Sequence, residues 1–332
     1  MRTQRLASSS DPVSEYDSTK DHNRHRTSRG ADFSTHRSVL LHEVLEALAI
    51  REGDTIVDCT LGGGGHACEL VRLLGPQGFF IGIDADRRAV ERAKNALAKE
   101  HVAARIELRE TNFRKLSNVL NELEIQKIDK VLLDLGWSGY QLEGERGFSL
   151  RVDEPLLMTY GDPKQAICTA FDVVNSWSEE HIADIIHGFG EERYARRVAR
   201  AIVAAREKGR IERSMQLADI ISQSVPVGYR HGRLHPATRT FQAIRMAVND
   251  EVGALSEALL ASREHLAEGG RVAVISFHSI EDRIVKRTFA AWKGEGFGMP
   301  VTKKPITASE EEVARNPRSR SAKLRVFERN TT

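Results

Sequence analysis

The chain has 332 residues, 40% of them hydrophobic and 29% charged, and its 49 Lys and Arg against 47 Asp and Glu leave a net charge of +2. That is ordinary for a soluble globular protein of one large domain or two smaller ones, and any nucleic-acid surface has to be a local patch. No run approaches the roughly 18 apolar residues that span a bilayer. The three cysteines, Cys59, Cys68 and Cys168, form no CxxC pair, which argues against a disulfide framework or a metal site and for a reducing cytoplasm.

Residues 1–35 are rich in Ser, Thr, Arg, His and Asp without apolar periodicity, the pattern of a disordered tail. Val39, Leu40, Val44, Leu45 and Leu48 make a helical stripe. Ile56 to Asp58 then reads as a buried strand that runs into Gly62-Gly63-Gly64-Gly65 and a helix from His66 to Leu74. Four glycines let a ligand lie against bare backbone, and the helix aims its free N–H groups at the same place. Phe79 to Asp84 is a second strand ending in a carboxylate, about 20 residues past the glycines, where an acid can grip a ribose diol. A helix over Arg87–Lys99, a strand over Ile106–Thr111 and a strand from Val131 to Gly136 follow. Strands alternating with helices predict a parallel, doubly wound α/β sheet with its ligand at the carboxyl ends of the strands, where Asp58, Asp84, Phe113 and Asp134 fall.

After Gly136 a polar, glycine-rich loop leads into patterns that look helical from Lys164 to about Val225. This predicts a helical insertion, 137–235, between two halves of the sheet domain, 36–136 and 236–332. Thr238 to Leu266 reads as one or two helices that Gly269-Gly270 ends, Arg271 to Phe277 as a fifth strand, Ile280 to Trp292 as a helix, and Lys323 to Glu328 as a final edge strand after a long loop.

Gly62, Gly64 and Ala67 satisfy a loose dinucleotide pattern, which keeps an NAD-linked oxidoreductase open. Asp58 decides against it. A carboxylate there repels a pyrophosphate and attracts an ammonium or sulfonium, and S-adenosylmethionine carries both cations, a ribose and no phosphate. Asp134, ending the fourth strand, faces the methyl group in such an architecture. It can accept from a base amine or from the cofactor's own amines, and the sequence leaves the two roles open. Methylation at carbon 5 of a pyrimidine needs a cysteine nucleophile, and none lies just after the fourth or fifth strand, where the base should enter; Cys168 falls in the insertion. His278 can take a proton or hold a phosphate. Ser279 and Asp282 join it as candidate catalytic groups, with Asp282 and Arg283 expected to pair, and Glu281 expected on a solvated first helical turn. Arg239, Gln242, Arg245 and Asn249 fall three or four apart, one helix face suited to RNA. A second stripe, Arg193, Arg196, Arg197 and Arg200, stays undecided between RNA and solvent.

Several stretches together resemble the MraW/RsmH family of small-subunit (16S) ribosomal RNA cytosine-N4 methyltransferases: Asp58 to His66, Leu132 to Gly136, Glu145 to Ser149, Gly190 to Arg193, Pro236 to Arg245, Ser276 to Lys286, and Asn316-Pro317-Arg318. The resemblance implies a Rossmann-like class I methyltransferase sheet with an inserted helical domain. It implies methyl transfer from S-adenosylmethionine to N4 of a decoding-region cytidine in an assembled small subunit. It also implies cofactor contacts at Gly64, Gly65, His66, Asp84, Phe113, Asp134 and Gln141. Two loops depart from the pattern. Trp137 to Glu143 replaces V-S-S-P-Q-L-D, and Glu154 to Gly161 replaces G-P-L-D-M-R-M-D, with no acid at Leu157 and no arginine at Thr159. Trp137 and Tyr140 then offer stacking surfaces to a flipped base. A non-catalytic assembly factor that binds adenosylmethionine and RNA is the alternative the altered loops leave standing, and the oligomeric state, a homodimer included, stays open.

Overall fold

The computed structural model describes residues 37–136 and 145–331. The tail 1–35 and the loop that carries Trp137, Tyr140 and Gln141 lie outside them.

A seven-stranded sheet organises the chain: β1 (Thr55–Asp58), β2 (Phe79–Asp84), β3 (Arg105–Glu110), β4 (Ile128–Asp134), β5 (Leu266–Ser276), β6 (Gly298–Pro300) and β7 (Lys323–Arg329), in the order β3-β2-β1-β4-β5-β7-β6. β1 to β5 are parallel and β7 is antiparallel, so this is the expected α/β Rossmann-like sheet with one reversed strand. The order reverses at β1 and β4, and a ligand crevice opens at that switch point.

Helices cover both faces because the parallel strands are apolar on both. Ile56, Phe80, Leu132 and Ile275 pack on one side with α1 (Leu41–Leu48), α2 (Gly65–Arg72) and α3 (Arg87–Leu97). Val57, Ile81, Ile83, Val131 and Leu133 pack on the other with α4 (Leu116–Glu122) and with two long helices that follow the insertion.

From Ala170 to β5 the chain is mainly helical: α5 (Ala170–Ser176), α6 (Glu179–Gly188), α7 (Ala195–Arg206), α8 (Ser214–Ser224), the single turn α9 (Val227–Arg230), α10 (Thr238–Asn249) and α11 (Glu251–His265). The first of these build a separate core with Val173, Ile182, Val198, Leu217 and Ile221. Phe241, Ala243 and Ile244 of α10 belong to that core, while Leu255, Ala258 and Leu259 of α11 belong to the sheet. The core therefore changes hands at the α10–α11 joint and not at Pro236, because the apolar stripe of α10 faces the inserted helices. Asp250 makes the joint, with a left-handed φ of 44°.

Three local expectations are corrected. β7 is not the edge: β6 pairs outside it, a three-residue strand too short to show periodicity. Gly269 and Gly270 lie within β5 and do not end a helix; Gly269, with φ 68°, sits beside an irregular register against β4. The loop after α12 (Ser279–Gly294) also holds α13 (Glu310–Arg315). Among the described residues no helix is long and apolar enough to cross a membrane.

Candidate active site

A cleft of about 940 Å³ opens over the carboxyl ends of β1, β2, β4 and β5. It falls at the large end of the range for small-molecule sites, with space for a cofactor and part of a second reactant. Its two halves are built differently.

The first half is a glycine turn flanked by carboxyl groups. Gly62 and Gly64 have φ 53° and 85°, which a side chain would strain. Gly62, Gly63 and Gly65 line the cleft. Gly64 does not: a Cβ there would stand 3.1 Å from the Ala93 backbone, so its role is to let α2 pack on α3. Asp84 receives the Gly62 N–H and the Asp86 N–H, both at 2.8 Å. Burial pushes its carboxyl up to about 6 against those two donors. Asp58, 1% exposed, lies beneath the turn and does not line the cleft. It accepts the Thr60 N–H at 3.0 Å; burial first and then Asp84 carry its carboxyl up to about 7. Asp58, expected to bind the cofactor, is thus a buried neighbour of the cleft and not part of its lining.

Asp134 stands where the halves meet. Its N–H donates to Thr60 Oγ1 at 2.6 Å, and the same hydroxyl reaches Asp58 Oδ1 at 3.4 Å, so Thr60 ties the ends of β1 and β4 together. Asp134 Oδ2 is 3.7 Å from His66 Nδ1, and Oδ1 has no hydrogen-bond partner among the described residues. Burial, Asp58 and Glu281 hold its carboxyl well above the usual carboxylate range. His66 is fixed from behind by Val39 O, 3.1 Å from Nε2. Phe113 lines the cleft beside Asn112.

The second half is a network of side chains. Arg245, 7% exposed, makes a two-point pair with Glu251, Nε to Oε1 at 2.8 Å and Nη2 to Oε2 at 2.9 Å. Tyr160 donates its hydroxyl to Glu251 Oε1 at 2.8 Å. Beside them His278 Nε2 stands 3.1 Å from Glu281 Oε1, while Glu281 Oε2 receives the Phe277 N–H at 2.9 Å. Burial would raise Glu281, but His278, the Phe277 N–H and Arg245 hold it below its ordinary value. Glu281 is therefore no solvated helix-turn acid; it is 5% exposed. Glu251, His278 and Glu281 place ligand atoms within 4.8 Å of one another, yet both Glu251 oxygens already serve Arg245 and Tyr160, so the group is an ion-pair network.

Several predicted site residues have other work. Asp282 binds Arg325 at 2.7 Å and Lys323 at 3.2 Å on β7, not Arg283. Ser279 and Arg283 both bind Glu191 at 2.7 Å. Neither Ser279 nor Asp282 lines the cleft. The expected RNA face of α10 is split. Gln242 and Arg245 reach the cleft, Arg239 binds Glu191 O at 2.6 Å, and Asn249 holds the altered loop by accepting the Tyr160 N–H and donating to Met158 O. Helical spacing gives a shared face but not which way it points. Of the second stripe, Arg193 stacks on Tyr194 and Tyr229 and Arg200 faces Glu179. What the sequence missed is the cleft mouth, where exposed Arg37, Arg233, Arg318 and Arg320 gather from three distant segments. Tyr160 and Thr60 were missed too, having no motif of their own.

Cys59 lines the cleft, but burial and Asp58 push its thiol up, away from a thiolate. Carbon-5 chemistry therefore has no nucleophile among the described cleft residues.

Among curated proteins, the chain is 47% identical over 306 residues to the ribosomal RNA small subunit methyltransferase H of Symbiobacterium thermophilum, covering 87% of this chain and 95% of that protein. It is 46% identical to the protein of the same name from Geotalea uraniireducens, with 89% and 98% covered. It is 47% identical to that from Deinococcus deserti, with 90% and 95% covered. The model of the MraW methylase family matches residues 33–330. A match that runs through both halves of the cleft and the inserted helices leaves one placement: the chain belongs to the MraW methylase family.

Proposed function

We propose that this protein transfers a methyl group from S-adenosylmethionine to the N4 amine of a cytidine in the decoding region of small-subunit (16S) ribosomal RNA. S-adenosylmethionine is the cofactor, and the cleft residues fit it. Asp84 keeps lone pairs for a ribose diol, the α2 N–H groups suit a carboxylate, Asp58 lends negative potential to an ammonium, and Phe113 offers a flat surface to the adenine. When bound, the cofactor supplies a methyl carbon made electrophilic by its sulfonium. An NAD-linked reaction is set aside by the methylase family.

The observation that carries the amine reading is Asp134 Oδ1, a buried acceptor with no partner among the described residues, between the cofactor turn and the network. A base amine is a poor nucleophile because its lone pair is spread into the ring. An acceptor that holds one N–H helps direct that pair toward the methyl carbon. Arg245, which Glu251 holds through Nε and Nη2, has further guanidinium N–H groups for the ring's own acceptors. The relatives are named for small-subunit ribosomal RNA. The mouth arginines Arg37, Arg233, Arg318 and Arg320 suit the phosphates flanking the target.

The test is to incubate the protein with methyl-labelled adenosylmethionine and small subunits from cells lacking the activity, then digest the RNA and analyse nucleosides by mass spectrometry. N4-methylcytidine at one decoding-region position is expected. Label in any other nucleoside refutes the site, and tight cofactor binding with no label supports the non-catalytic alternative.

A further inference from the structure

We propose that Asp134 keeps its proton while the donor site is empty, releases it when the donor's sulfonium arrives, and receives the amine proton as that charge disappears. The proposal rests on the amine methylation argued above and names the group that handles its proton.

The geometry sets this up. The Thr60 hydroxyl joins the Asp134 backbone N–H to Asp58 Oδ1, so the two acids sit at adjacent strand ends and Asp58 bears on the Asp134 carboxyl, with Asp84 acting on Asp58 from β2. From α12 it faces Glu281, itself tied to His278. The one strong cation nearby, Arg245 of α10, is held at two points by Glu251 of α11. From α2 comes His66. Its Nε2 lies 3.1 Å from a carbonyl oxygen, Val39 O, which accepts only an N–H. In the neutral ring Nδ1 is then a lone pair, 3.7 Å from Asp134 Oδ2. No described group donates a hydrogen bond to Asp134 Oδ1, so nothing there favours the carboxylate over the protonated carboxyl. Among the described residues the charges that bear on the Asp134 carboxyl are the negative ones of Asp58 and Glu281, so a second negative charge there goes unbalanced. The sulfonium is the missing cation.

The proton count closes. In the transfer, the amine lone pair bonds to the methyl carbon, and the carbon–sulfur pair stays on sulfur as a neutral thioether. One N–H proton must then leave the nitrogen. Asp134 Oδ1 accepts it at the moment its own charge has lost its partner. The carboxyl ends neutral, as it began, and the one proton given to solvent left earlier, on donor binding.

Donor and product differ at sulfur alone in charge, so they test the idea without RNA. Each is titrated calorimetrically into the full chain near pH 7 in phosphate and in Tris, whose different ionisation heats report protons released. Adenosylmethionine should release more protons than adenosylhomocysteine, by up to one. The ratio of the product's Kd to the donor's should climb with pH by up to about tenfold per unit. Asp134→Asn should abolish the difference while still binding adenosylhomocysteine, which shows an intact site. Asp58→Asn should shrink the difference without abolishing it, because one of the two negative neighbours that keep the proton on Asp134 is gone while Glu281 remains. Equal proton counts for the two ligands, or a difference that survives in Asp134→Asn, would overturn the proposal. Binding of neither ligand would overturn the donor reading beneath it.

Discussion

The two halves of the cleft are made by different means. The donor half is local: a strand end, a turn and a helix start, with Asp84 fastened to Gly62 by a backbone N–H. The acceptor half is long-range. Tyr160 and Glu251 are 91 residues apart and share one hydrogen bond, and Arg245 meets Glu251 only because Asp250 turns the chain between α10 and α11. Backbone geometry fixes where a donor sits, whereas a web of charges that balance only one another fixes what can approach it. Damage to one half should therefore spare the other, and the following experiments test that division, from the largest expected effect down.

Asp134→Asn, at the seam, should lower kcat on small subunits by about 10²–10⁴, the range of a lost general base, with adenosylhomocysteine affinity within a few-fold of wild type. Glu251→Gln should leave Arg245 buried without its counter-charge. Chemical denaturation should show a loss of about 3 kcal/mol and KM for the subunit should rise. A matching loss of cofactor affinity would break the division.

The donor half has its own signature in pH. Asp58 rises to about 7 in the folded protein from an ordinary carboxylate value near 4 when unfolded. Between those values the folded chain holds a proton that the unfolded chain has lost, so the apoprotein should lose stability as pH climbs from about 4 to 7. In Asp58→Asn that slope should flatten and Tm at pH 7.5 should rise by a few degrees. An unchanged melting profile would mean that Asp58 is not carrying its charge unfavourably.

Tyr160→Phe removes one hydroxyl from Glu251 and should cost about 1 kcal/mol, with a modest rise in subunit KM only. Arg233→Ala and Arg320→Ala should each reduce the salt dependence of subunit binding by about one ion and leave cofactor binding alone. An unaltered salt slope would take the RNA away from this mouth.

The same division explains what the sequence disclosed. The glycine turn, Asp84 and Asp134 could be read because their positions follow from strand, turn and helix periodicity in one short stretch. Asp58 ends β1 as expected but is buried behind the cleft lining, since periodicity does not resolve depth. Glu281 looked like a surface acid until Phe277 and His278 were seen to bury it, and Asp282 found its arginine on β7, 43 residues on. The reach of Arg239 to Glu191 depends on how inserted helices dock, which no local pattern encodes.

Two small contacts join the first described residues to a segment near the end of the chain. Glu312 Oε1 accepts the Leu40 N–H at 2.8 Å across 272 residues, and Asn316 donates to Arg37 O at 3.2 Å. The doorway to the cleft is thus a clasp between residues 37–40 and 312–321. Because its two sides come from segments 272 residues apart, neither is set by its own local sequence, and the clasp exists only once the whole chain between them has folded.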